Sequence, residues 1–221
     1  MSILAESDIE KFVIEMLMDM GYTYVYGPNI SPGGVRPERS SFSDVVLVDR
    51  LREALEWINP QVPVEAREEA IKQLQQFVAS DLISNNEAFH RMLTEGVKVN
   101  YNHNGVEKGA LVQLVDFKNP QNNDFLVTNQ FTIVENNVNK RPDIVIFVNG
   151  LPLVVMELKN PVNEKVRLRG AFDQVQTYMQ KIPSLFVYNE FIILSDGFVA
   201  KAGTISSDYS HFMAWKSMDG K

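Results

Sequence analysis

Three charged side chains in an otherwise apolar stretch are the residues best suited to chemistry: Asp143, Glu157 and Lys159. They lie in Arg141-Pro142-Asp143-Ile144-Val145-Ile146-Phe147-Val148-Asn149-Gly150-Leu151-Pro152-Leu153-Val154-Val155-Met156-Glu157-Leu158-Lys159, two strand-length apolar runs joined by a turn signal. A carboxylate among apolar strand residues is costly unless it is paired, hydrogen-bonded or bound to a metal. Asp143 and Glu157, with a backbone carbonyl such as that of Leu158, make a hard-oxygen donor set suited to Mg²⁺ that keeps several waters. Residues two apart on a strand share a face, so Lys159 projects beside Glu157. Its ammonium can orient an attacking water or meet negative charge developing on a phosphoryl oxygen. The chemistry expected of this set is metal-assisted phosphodiester hydrolysis. The competing reading is a solvated ion pair at a strand end, worth little energetically.

The hairpin register decides between the two. A plain two-residue Asn149-Gly150 turn pairs Val148 with Leu151 and Asp143 with Met156, which puts Asp143 and Glu157 on opposite faces. The site requires a three-residue loop with a bulge, or a five-residue loop. Pro152, which donates nothing to a ladder, makes such a departure plausible.

The elements that must position these residues follow from periodicity. Ser7 or Asp8 caps a first helix running to Met20, with Ile9, Phe12, Val13, Met16, Leu17 and Met20 on one apolar stripe and Gly21 as its stop. Residues 22–26 alternate like a short strand, and residues 27–40 are rich in Gly, Pro and Arg and are expected to form a loop. Residues 44–57, 64–80 and 85–94 carry helical spacing, giving a helical block over 43–95. From Val97 the period becomes two: residues 97–101, 109–117 and 125–134 read as antiparallel strands leading into the central hairpin, a meander of about five strands. An amphipathic helix over 164–180 follows, and strands at 185–187, 191–194 and 198–202 finish the sheet. Asp116 and Lys118, in Val115-Asp116-Phe117-Lys118-Asn119-Pro120, imitate the Glu157-Leu158-Lys159 motif but lack an upstream Pro-Asp strand, and are read as a strand end.

Composition removes other chemistries. The 221 residues include no cysteine, which excludes disulfides and thiolate metal sites, and His90, His103 and His211 make no ligand pattern. No apolar run approaches membrane-spanning length and Met1-Ser2-Ile3-Leu4-Ala5-Glu6 lacks signal design, so a soluble, cytoplasmic protein is expected. The net charge of -7 argues mildly against nucleic acid. Its distribution does not: residues 140–181 hold seven basic side chains against four acidic ones.

Pro-Asp at the start of one apolar strand and Glu-x-Lys at the end of the next resemble the PD-(D/E)xK, restriction-endonuclease-like nuclease superfamily. The following helix adds Gln174 and Tyr178, four apart and on one face. This Q-x-x-x-Y resembles the extra motif of RecB-type nucleases and type I restriction enzymes. With Leu17-Met18-Asp19-Met20-Gly21-Tyr22, Asn129-Gln130-Phe131 and Asn149-Gly150-Leu151-Pro152-Leu153, nearly the whole chain resembles the N-terminal endonuclease domain of the R (restriction, motor) subunit of type I restriction-modification enzymes.

That resemblance implies an α/β (α+β) fold, a restriction-endonuclease-like mixed β-sheet flanked by helices with an N-terminal helical block. Residues 1–221 are then a single nuclease domain, with 43–95 a helical insertion and 97–203 the sheet core. Phe212-Met213-Ala214-Trp215-Lys216-Ser217-Met218-Asp219-Gly220 resembles the passage toward an ATPase motor, so the chain is expected to be a fragment ending before it. By the resemblance Asp143 and Glu157 are metal ligands for Mg²⁺, Lys159 is the catalytic lysine, and Gln174 and Tyr178 are accessory. An acid from the first helix joins them, Glu10 first and Glu6 as alternate. Arg167 and Arg169 are candidates for DNA phosphate contacts, with ordinary solvation the equal alternative. The implied partners are double-stranded DNA, methyltransferase and specificity subunits, and the subunit's own helicase-like motor, with ATP and S-adenosylmethionine entering only through those absent parts. Two other readings stand beside it: a noncatalytic nuclease-like docking module, and another nuclease of the superfamily such as a repair enzyme or exonuclease.

Overall fold

The computed structural model describes residues 5–160 and 167–214. Helix α1 (Glu6–Asp19) starts where the Asp8 carboxylate accepts the Ala5 N–H at 3.0 Å and ends before Gly21, whose φ of +97° suits a glycine. Its buried line is Ile9, Val13, Ile14 and Leu17, whereas Phe12, Met16 and Met20, expected on the same stripe, are exposed. The apolar face of α1 is thus wider than the part of it that the other described residues bury.

Strand β1 (Thr23–Tyr26) leads into the short helix α2 (Gly27–Ile30). The expected loop over 27–40 is therefore partly helical, and it is anchored by a buried cation. The Arg39 guanidinium donates to Ser31 Oγ at 3.0 Å and the Thr132 carbonyl at 2.6 Å, and lies 3.8 Å from the centre of the Phe131 ring. Helices α3 (Val48–Ile58), α4 (Val64–Leu74) and α5 (Leu82–Glu95) form the expected helical block, with α4 ending six residues before the expected 80. Asp81 caps α5 by accepting the Ser84 N–H at 2.9 Å.

The strands that follow do not make one meander. Among the described residues β2 (Val97–His103) and β3 (Val106–Val112) pair only with each other, as do β5 (Ile133–Glu135) and β6 (Val138–Lys140), which lie after β4 (Phe125–Asn129). Then come β7 (Ile144–Val148), β8 (Leu151–Leu158), α6 (Arg167–Lys181), α7 (Pro183–Val187), β9 (Phe191–Ser195), β10 (Ala200–Gly203) and β11 (Met213–Ala214). Residues 185–187, expected as a strand, are helical because Pro183 sits in the first turn, where its fixed φ and missing N–H suit a helix start.

Among the described residues the main sheet has seven strands in the order β1-β4-β7-β8-β9-β10-β11. β1/β4 and β8/β9 are parallel and the remaining pairs antiparallel, so the sheet is mixed. A parallel neighbour needs a crossover, which α6 and α7 supply between β8 and β9. One face is covered by α1, whose buried line packs on Val127, Ile144, Ile146, Met156 and Leu158. The other face, with Val145, Phe147, Val155 and Ile192, packs on Phe172, Val175 and Tyr178 of α6 and on the helical block. No helix among the described residues is long and apolar enough to cross a membrane.

The hairpin joining β7 and β8 combines a two-residue turn with a bulge. Val148 faces Leu151 and Phe147 faces Pro152, as a tight Asn149-Gly150 turn dictates, and both turn residues have positive φ, +54° and +77°. Ile146 then faces Val154, so Leu153 is an extra residue on β8, and the ladder continues to Ile144 opposite Met156. One step further sets Asp143 opposite Glu157. The expected longer loop is absent; the bulge alone shifts the register. The Leu153 carbonyl finds donors outside the hairpin, the Glu190 N–H at 2.8 Å and Asn189 Nδ2 at 3.3 Å.

The turn itself is buried and held. Asn149 Nδ2 donates to the Leu114 carbonyl at 2.8 Å and to Asn123 Oδ1 at 2.9 Å, while its Oδ1 accepts the Asp124 N–H at 2.8 Å. The Asp116 segment, expected as a strand end, is the buttress of this turn. Asp116 accepts the N–H groups of Lys118 and Asn119 at 3.0 and 2.9 Å, and its own N–H donates to Asn123 Oδ1 at 2.9 Å. A Cβ on Gly150 would lie 2.4 Å from the Leu47 carbonyl oxygen. Asn149→Ala is expected to destabilise the fold by about 3 kcal/mol, because it strands buried partners and leaves a non-glycine residue without its local bonds at positive φ. Equilibrium urea unfolding with an unchanged m-value measures this.

Candidate active site

Asp143 immediately precedes β7 and Glu157 is the penultimate residue of β8, so two central strands of the sheet bring both carboxylates to one end. Asp143 Oδ2 accepts the Leu158 N–H at 2.7 Å, which locks the two strand ends together. Lys159 Nζ donates to Glu157 Oε1 at 2.7 Å, and the Lys159 N–H extends the β8/β9 ladder by donating to the Ser195 carbonyl at 2.9 Å. The motif is thus built on rigid backbone, and its side chains are close without a mobile loop intervening.

Burial and like charge dominate the electrostatics. Glu157 is fully buried, and its Oε2 meets no hydrogen-bond donor of normal geometry among the described residues. Burial and then the negative charge of Asp143 push its carboxyl up to about 7, against the opposing pull of the Lys159 ammonium. Burial also raises the Asp143 carboxyl; the Leu158 N–H and Lys159 oppose this, and the charges of Glu10 and Glu6 add to it. Among the described residues the acids gathered here outnumber the one cation bonded to them, Lys159.

The two acids from α1 stand one turn apart. Glu10 Oε1 accepts from Asn129 Nδ2 at 2.5 Å and its Oε2 from Gln130 Nε2 at 3.1 Å. Glu6 accepts the Asn160 N–H at 3.2 Å. Asn129 and Gln130 hold Glu10 toward the strand end, and Gln130 adopts a φ of +56° with its N–H directed at the Asp143 carbonyl, 3.3 Å away. The sequence pattern alone assigns these two amides no role; their place at the end of β4, next to the Asp143 strand, is the signal that they reach across.

On α6, Gln174 Nε2 donates to the Tyr178 hydroxyl at 2.5 Å, and that hydroxyl donates to the Arg141 carbonyl at 3.4 Å. Burial raises the Tyr178 hydroxyl well above the usual phenol range, and the facing Glu157 charge adds to it. The pair is therefore brought to the site. Arg169 is not: its Nε donates to Asp173 Oδ1 at 3.1 Å, its guanidinium lies 5.3 Å from the Phe172 and Tyr209 ring centres, and it sits roughly 140° around the helix from Gln174. The side chain of Arg167 lies outside the described residues.

The donors fit a hard divalent cation. They are carboxylate oxygens, one of them buried and without a donor of normal geometry among the described residues, with no sulfur or imidazole among them. Among the described residues no set of three or more His, Asp or Glu side chains converges as a complete cage, so a cation held here keeps waters or backbone oxygens.

A mixed sheet flanked by helices, with an Asp and a Glu-x-Lys at the ends of adjacent central strands, is a restriction-endonuclease-like α/β fold. Residues 3–211 match the family described as Type I restriction enzyme R protein N terminus, and the chain belongs to that family. It is 43% identical over 219 residues to the type I restriction enzyme HindI endonuclease subunit of Haemophilus influenzae, covering 99% of this chain and 21% of that protein. It is 34% identical over 214 residues to the putative type I restriction enzyme MjaIXP endonuclease subunit of Methanocaldococcus jannaschii, covering 96% and 20%. The type I restriction enzyme EcoprrI endonuclease subunit of Escherichia coli is 28% identical over 97% of this chain and 65% of its own length. The chain spans about a fifth of the length of the first two relatives.

Replacing Glu157 by Gln removes a buried like charge beside Asp143 while keeping the shape. In chelator, Glu157→Gln is expected to stabilise the protein by on the order of 1–2 kcal/mol, read as a higher thermal midpoint. A lower midpoint would show that the carboxylate is already compensated by the protein alone.

Proposed function

We propose that this chain is the endonuclease domain of a type I restriction enzyme R subunit, hydrolysing DNA phosphodiester bonds with Mg²⁺. The single observation that carries the reading is the register: a bulge places Asp143 across from Glu157, with Lys159 2.7 Å from the buried Glu157 carboxylate. Membership of the R-protein N-terminus family supports it. On this reading residues 1–221 act as one nuclease domain, with 43–95 inserted as its helical block.

Asp143 and Glu157 would hold the ion, with Glu10 or Glu6 of α1 adding negative charge from the side. When bound, Mg²⁺ supplies Lewis acidity toward a phosphodiester. Lys159, held by Glu157, presents its ammonium to the attacking water or to the developing phosphoryl charge. Gln174 and Tyr178 form a hydrogen-bonded pair facing the Glu157 charge and offer an amide and a phenol to the scissile phosphate. Recognition of a DNA sequence and ATP-driven movement belong, in this proposal, to a motor and to methyltransferase and specificity subunits.

The test places Asp143→Ala and Lys159→Ala separately in the full-length subunit assembled with its partners. Each is expected to lower DNA cleavage by at least about a hundredfold while ATP-driven translocation continues. Chelation of Mg²⁺ should abolish wild-type cutting as well. Unchanged cleavage by either variant would remove the nuclease reading in favour of a docking role. Tyr178→Phe, which keeps the ring in its packing but loses the hydroxyl, is expected to fall between: a loss of about ten- to a hundredfold in cleavage, with translocation retained.

A further inference from the structure

A cleft of about 460 Å³ opens beside Gln174 and Tyr178, between the end of β6 and α6. Asn139, Lys140 and Arg141 form one wall; Gln174 and Thr177 join Tyr178 on the other. Among the described residues no acidic one lines it, although the chain as a whole carries a net charge of -7. Neither Lys140 nor Arg141 forms an ion pair with a described residue, in contrast to Arg169, which Asp173 occupies. The Tyr178 hydroxyl ties the two walls together by donating to the Arg141 backbone carbonyl at 3.4 Å, which leaves the Arg141 side chain out of the bond. Asp143 lies two residues beyond Arg141, roughly 7 Å along extended backbone.

We propose that this cleft is a subsite for the DNA backbone next to the scissile bond, in which Lys140 and Arg141 bind the phosphates flanking the one presented to Asp143 and Glu157. Two cations with no ion-pair partner among the described residues, lining a cleft with neutral amide and hydroxyl groups, suit a phosphodiester chain, which needs charge neutralisation and hydrogen-bond donors without base recognition. Arg141 offers a planar fork to one phosphate, and Lys140 a point charge to the next. The assignment deepens the nuclease reading and rests on it. It also gives Gln174 a second face, toward the bound strand.

The experiment measures binding, so that it stands apart from catalysis. A short DNA duplex is titrated with the full-length subunit in chelator, where nothing is cut, over a roughly fourfold range of salt. Each phosphate contact contributes about 0.9 to the slope of log affinity against log salt. Lys140→Gln combined with Arg141→Gln is expected to reduce that slope by about 2, so that the wild type loses roughly tenfold more affinity than the variant across the range. The charge-keeping pair Lys140→Arg and Arg141→Lys should retain the wild-type slope. A merely structural disturbance would weaken binding at every salt concentration and leave the slope alone, and that result, or a slope equal to wild type in the Gln pair, overturns the subsite. The two readings separate cleanly. A reduced slope together with full cleavage by Asp143→Ala enzyme keeps the cleft and discards the nuclease assignment; an unchanged slope with an inactive Asp143→Ala enzyme does the reverse.

Discussion

The buried carboxamide of Asn149 and the extra residue Leu153 together determine which side chain of β7 lies across from Glu157. Side chains alternate between faces of a sheet, so a slip of one residue would send Asp143 to the opposite face from Glu157. The tight turn sets the starting pair, and the bulge then corrects the count. Each device has its polar groups satisfied from outside the hairpin: the turn by residues 114, 123 and 124, the bulge by Asn189 and the Glu190 N–H. A bulge whose carbonyl is bonded elsewhere has little tendency to migrate along its strand.

Given that register, the charges of the described residues at the strand ends are poorly balanced. Asp143 and Glu157 face each other, Glu6 and Glu10 approach from α1, and Lys159 is the cation bonded to Glu157. Hydrogen bonds from Leu158, Asn129, Gln130 and Asn160 hold these oxygens in place without cancelling their charge. The arrangement persists because the strands that carry it are buried on both faces, by α1 on one side and by α6 and the helical block on the other. Core packing can hold a set of carboxylates in a geometry they would not adopt alone.

Much of this was legible in the sequence, and the parts that were not have specific causes. Apolar runs with Asp, Glu and Lys at their ends pointed to the two central strands and to the need for an irregular register. The solution used, a two-residue turn plus a bulge at Leu153, depends on donors at 189 and 190 that no local pattern reveals. The imitation motif at Asp116 shows the opposite case: its spacing matches Glu157-Leu158-Lys159, yet its carboxylate is turned onto its own backbone. Helical periodicity located α1 but misassigned Phe12, Met16 and Met20, since hydrophobicity identifies an apolar face and not what covers it. Arg39, in a stretch whose Gly and Pro content suggests a free loop, is buried because Phe131 and two backbone carbonyls receive it. Such long-range partners are invisible to spacing.

The hairpin turn sits at one end of β7 and the carboxylates at the other, six residues and about 20 Å apart. Alignment is therefore fixed remotely, as a ruler is set by where it is clamped. Substitutions around residues 114–124, 149–150 or 189–190 would reach the strand ends by sliding a whole strand, without any disturbance travelling through the site's own neighbours. Distance from Glu157 is a poor guide to which positions this chain can vary; membership of the clamp is a better one.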